Sequence, residues 1–153
     1  MSGIDLHKGV AHYVSKLEFQ VKAKRPMVAY GLVQEARGHF PDAPLIASYV
    51  GLLEILMGNK PEKPLETCYG AIKNAKKAKF KKPIRATVYL NLGRACLAAG
   101  KKKEAVYAFY DGLRLDRNNN DLYWEIKKLG VRRKPALPFL KRSNFINKLF
   151  LQF

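Results

Sequence analysis

The sequence predicts an all-α chain built from consecutive antiparallel helical hairpins, and three observations lead there. Apolar residues recur at helical spacing, as in Val88, Leu92, Cys96 and Ala99, and then in Ala105, Phe109, Gly112 and Leu113. Turn residues fall between such stretches: Gly100 separates these two, while Pro26, Pro44 and Pro83 stand where a helix can begin, since a first-turn proline loses no intrahelical bond. The pattern also repeats along the chain, with units at residues 10–43, 44–85 and 86–119.

In the first unit, Tyr13, Ala29, Val33 and Ala36 give two apolar helix faces, and Phe40-Pro41-Asp42 closes the unit. The second carries Val50-Gly51 and Gly58 on its first helix and Cys68 with Ala71 on its second; its extra length lies in the lysine-rich stretch 75–82. The third predicts a helix over 87–99, a turn at Gly100 and a helix over 102–115, broken at 118–120. Gly93 and Ala105 are small where those two helices must approach. A lone capping helix follows in 120–130, completing a helical domain over 1–130. Residues 131–153 form a basic, apolar tail, in which Pro135 and Pro138 favour an extended strap. Ser143 can then cap a helix with Phe145, Ile146, Leu149, Phe150 and Phe153 on one face. The tail is expected to pack on the chain's own array, with a partner protein or an anionic membrane surface as the alternatives.

The third unit resembles a tetratricopeptide repeat: Tyr89, Leu92-Gly93, Gly100, Ala105 and Phe109 hold the motif's positions, while Cys96, Gly112 and Arg117 depart from it. The resemblance implies a helical-hairpin solenoid of about three repeats, a capping helix and a C-terminal tail. It also implies a concave groove lined by the first helix of each unit. Carried over position by position, it assigns Ala11, Val14, Ser15, Glu18 and Val21 from the first unit and Leu45, Ser48, Tyr49, Leu52 and Ile55 from the second. The third unit contributes Thr87, Leu90, Asn91, Arg94 and Leu97, and the cap Trp124, Glu125 and Lys128. Of these, Tyr49, Leu52, Asn91, Arg94, Trp124 and Glu125 are expected to contact a partner, with Tyr49, Asn91 and Arg94 as polar anchors. The subtype that grips acidic chaperone termini does not fit, because its basic and Asn positions hold Val14, Glu18, Tyr49, Thr87 and Asn91 here.

Composition bounds the function. In 153 residues there are 29 Lys+Arg against 12 Asp+Glu, a net charge of +17. This bears on partners and solubility more than on fold. No apolar run reaches the roughly 18–20 residues that span a bilayer, and the first residues lack a secretory pattern. The two cysteines, Cys68 and Cys96, make no disulfide framework. A cytoplasmic location is the expectation. His7, His12 and His39 belong to no metal or nucleophile pattern, and Gly100 with its lysines lacks the rest of a phosphate loop. No enzyme, cofactor or metal is therefore expected. The expected function is that of an adaptor holding a peptide or helix in the groove. A second expectation rests on Lys73, Lys76, Lys77, Lys79, Lys81, Lys82 and Arg85, a cluster without an acid. It could take a nucleic acid or ribosomal RNA by neutralising phosphates, and an acidic protein would use the same lysines.

Overall fold

The computed structural model describes residues 3–130, and the expectations placed on the 131–153 tail lie outside the described residues. The chain is all-α there, with helices α1 (Gly3–Lys22), α2 (Pro26–His39), α3 (Pro44–Leu56), α4 (Glu62–Lys77), α5 (Lys82–Ala98), α6 (Lys102–Leu115) and α7 (Asn120–Lys128). None of these is long and apolar enough to cross a membrane. Proline opens α2 and α3 and stands in the first turn of α5. At α7 the cap is a side chain: Asn119 Oδ1 accepts from the Leu122 amide at 3.1 Å. Two helices start earlier than their apolar patterns suggest. α1 reaches back to Gly3, and α5 absorbs the end of the lysine-rich stretch as an extra turn from Lys82.

Short connections turn the chain back after each helix. Four ends share one device: a residue at positive φ lets two amides fold back onto the last turn's carbonyls. Gly58 and Gly100 do this after α3 and α5, at φ 91° and 75°. Lys24 and Lys79 do it after α1 and α4 at φ 56° and 53°, a left-handed conformation that is strained for a side chain.

The pairs α1–α2, α3–α4 and α5–α6 pack as hairpins, and each hairpin leans on the next through α2–α3 and α4–α5. Along one side α3 packs on both α1 and α5, and α5 on α7, whereas α2, α4 and α6 do not touch one another. The odd-numbered helices therefore form an inner layer and the even-numbered ones an outer layer. Close approach inside the hairpins depends on missing side chains. A β-carbon on Gly93 would run into the Phe109 ring, and one on Gly51 would lie 2.5 Å from both Cys68 Sγ and the Pro64 carbonyl oxygen. Leu17, Val33, Ile46, Leu53, Val88, Phe109, Leu113 and Leu122 fill a continuous core through all the hairpins. Each such side chain contributes roughly 1.5–3 kcal/mol on burial.

Candidate functional site

The inner layer carries a polar cluster at its centre. Glu18, on α1, accepts hydrogen bonds at the same carboxylate oxygen from the Tyr49 hydroxyl of α3 and from Arg94 Nη1 of α5, the latter at 2.8 Å. Arg94 Nε donates to Glu125 of α7 at 2.9 Å, and Lys128 Nζ approaches the same Glu125 oxygen at 3.4 Å. Lys22 Nζ closes the ring of contacts with Asp121 Oδ1 at 2.7 Å, joining α1 directly to α7. Behind them Asn91 Nδ2 donates to Ser48 Oγ at 2.9 Å, and Ser48 donates to the Leu45 carbonyl at 2.7 Å.

Burial and charge set the ionisation of this cluster. Burial pushes the Tyr49 hydroxyl well above its ordinary value, and the Glu18 carboxylate pushes it further. For Arg94 burial works against the charge, but Glu18 and Glu125 outweigh it and the net direction is up. A buried guanidinium held between two carboxylates is a structural clamp, because removing either side leaves an uncompensated buried charge.

This geometry corrects part of the sequence expectation. Tyr49 and Asn91 are fully buried, so they are interior residues and not ligand-facing ones, while Leu52, 1% exposed, shows only its edge to a pocket. All three side chains belong to the inner-layer helices α3 and α5. There α1 folds over them, and Glu18 takes up the polar groups that a ligand would otherwise have met. Arg94 and Glu125 are nearly buried and committed to each other. Of the six expected contacts, only Trp124 is broadly exposed, at 57%.

The clamp divides the inner face into two pockets. One, about 800 Å³, lies where α1 crosses the first turns of α3 and α5, and Ala11, Val14, Ser15, Leu45 and Thr87 line it with Phe40, Phe80 and Ile84. The other, about 680 Å³, is walled by the clamp's own Arg94 and Glu125 and by Val21, Leu52, Leu56, Leu97 and Trp124 together with Lys22, Lys24 and Lys128, so that four of the six expected contacts line it. The first is mainly apolar; the second is ringed by charge.

Of the lysine cluster, Lys81 lines the first pocket and Lys77 the hollow next to it, and the others flank these two in sequence on α4, α5 and the turn between them. Lys73, Lys76, Lys77, Lys79, Lys81 and Lys82 are all exposed, and Arg85 is half-buried with Nε out of reach of any partner. Lys76 lies over the Tyr89 ring at 5.7 Å, and no ion pair among the described residues engages any of the seven.

The remaining reactive side chains are occupied in packing. Cys68 is buried, points its thiol at the Ser48 carbonyl at 3.6 Å, and is pushed up to about 12 by burial. Cys96 is buried and raised for the same reason. His39 stacks on Tyr13, with ring centroids 6.1 Å apart. Among the described residues no group of three or more His, Cys, Asp and Glu could hold a metal ion. Comparison with family models, with curated proteins and with solved structures finds no match for this chain.

Proposed function

We propose that the chain is a non-enzymatic adaptor of tetratricopeptide type, about three repeats and a capping helix, that holds a segment of another protein on its inner face. The observation that carries this function is the apolar pocket between α1, α3 and α5. Its walls include Ala11, Val14, Ser15, Leu45 and Thr87, five positions at which the family resemblance puts ligand-facing side chains. A cleft of several hundred cubic ångströms with mainly apolar walls suits the apolar face of a helix or an extended peptide. The close packing at Gly93 against Phe109 and the layering of odd and even helices support the repeat assignment.

The test is affinity purification with and without nuclease, comparing the wild type with Ala11→Trp. Ala11 is exposed and lines the pocket, so an indole there fills the cleft and leaves the core intact. A protein that survives nuclease and is lost with Ala11→Trp supports the adaptor. Recovery at an undiminished level with a folded Ala11→Trp variant rules the pocket out as its seat. The unpaired lysine cluster supports a second function, nucleic-acid binding. It would show as nuclease-sensitive recovery and a log-log salt slope near −0.9 per phosphate neutralised on duplex.

A further inference from the structure

The apolar pocket and the lysine cluster are one continuous surface. Phe80 walls both that pocket and a shallower hollow lined by Asn74, Lys77 and Ala78, and Lys81 lines the pocket itself. The first turns of α3 and α5 also face it, through Pro44 and Leu45 and through Pro83 and Ile84. Neither of these helix starts has a side-chain cap or an acid in its first turn. A helix N-terminus carries partial positive charge and free amide donors, so it favours carboxylates. At α5 it meets Lys81, Lys82 and Arg85 instead. Asp42 is the one acid that lines either hollow.

We infer that the segment held there is an acidic amphipathic helix of another protein. Its apolar stripe enters the pocket, and its flanking Asp and Glu side chains meet Lys77, Lys81, Lys82 and the first turn of α5. The inference rests on the proposed adaptor function and adds the chemistry of the partner. Charge separates the possible occupants. The chain's own 131–153 segment holds Arg132, Arg133, Lys134, Lys141, Arg142 and Lys148 with no acidic side chain, so it brings these lysines no complementary charge. A second copy brings a net charge of +17 to the same edge. A nucleic acid satisfies the lysines through its phosphates but leaves the apolar walls at Val14, Phe40 and Ile84 without a partner. Only an occupant with an apolar stripe beside a row of acids satisfies both parts.

The experiment selects binders on the intact chain from a yeast-displayed library of helices. Each is about 16 residues, four to five turns, with a fixed apolar stripe at i, i+3, i+4 and i+7 and flanks randomised over Asp, Glu, Ser and Lys. Expected are binders enriched in Asp and Glu, with NMR shifts at Ala11, Ile84 and Thr87. Their affinity should fall roughly tenfold or more on reversing Lys77, Lys81 and Lys82 to Glu, since like charges then face each other. Lys81→Glu alone serves as a second variant should the triple one melt early. Pocket binders with neutral or basic flanks, indifferent to charge reversal, would overturn the acidic partner and leave the adaptor standing. No binder at the pocket would overturn both. A poly-dT strand that binds through the same lysines and is unaffected by Ala11→Trp, with no acidic helix competing, would assign the edge to nucleic acid and overturn the inference.

Discussion

The inner face has a closed centre and an open end, and they use opposite chemistry. At the centre, Glu18, Tyr49, Arg94 and Glu125 come from four different helices and bond one another largely shielded from solvent. At the open end, apolar walls stand beside lysines that no acid among the described residues pairs with. A polar residue on a groove-facing position is thus no guide to ligand contact in a short array. When the first helix can reach across to the last, as Lys22 reaches Asp121 at 2.7 Å, it uses such residues to tie the inner layer together. Left open are the pockets on either side of that tie.

The largest effect should come from breaking the centre. Arg94→Ala leaves Glu18 and Glu125 with only the more distant, exposed Lys22 and Lys128, and a loss of about 3 kcal/mol, the lower end for a broken buried pair, is expected in urea unfolding. Replacing Arg94 by Met together with Glu18→Gln and Glu125→Gln removes both signs at once and should recover most of it. A loss below about 1 kcal/mol for Arg94→Ala would mean that water screens the cluster, and the contrast with the open end would disappear.

A smaller effect is expected from alkali. Cys68 moves from its ordinary 9.0 up to about 12 on folding, and Tyr49 is also raised. The fold therefore holds these protons more tightly than the unfolded chain does. Their contribution is fully present below pH 9 and is lost as pH rises through the folded values. Urea midpoints should stay flat up to about pH 8.5, near the unperturbed thiol, and then fall steeply. Cys68→Ala should flatten part of that fall. A midpoint independent of pH up to 12 would contradict the burial of both groups.

Much of this fold is legible in the residues themselves. α6 runs from Lys102 to Leu115 as its apolar spacing indicates, Gly100 takes the positive φ its position needs, and the prolines mark helix starts. These are local signals, each decided within a turn or two of helix. The centre of the inner face is not local. Glu18 meets partners 31 and 76 residues away, and no spacing rule links those positions. Tyr49 and Asn91 carry polar groups, so residue type alone points them outward, while the structure pairs and buries them. Lys24 and Lys79 are equally opaque: nothing in a lysine announces the left-handed backbone that the turns after α3 and α5 give to glycine. At the open end the reverse holds. The lysine cluster is evident in the sequence, but its contact with an apolar pocket appears only once Phe80 and Ile84 are seen to share it with Val14.

The smallest effect in stability is the most discriminating about the open end. If the lysines there were merely a solvated helix surface, each should sit well in the field of its own helix. Lys77 does, in the last turn of α4, where the C-terminal end of the helix dipole favours a cation. Lys82 does not, because it opens α5, where that dipole favours an anion. Lys77→Glu should therefore destabilise by about 0.5 kcal/mol, and Lys82→Glu should stabilise by a similar amount. Both reversals should weaken an acidic helix seated in the pocket. Lys82→Glu would then raise the melting temperature while lowering affinity, which is the signature of a residue kept for a partner against the interest of its own helix. Thermal melts of the two single variants, beside titrations with an acidic library binder, read both quantities. A Lys82→Glu variant that melted lower and bound as well as wild type would show that Lys82 serves the fold, and would confine the cationic edge to α4.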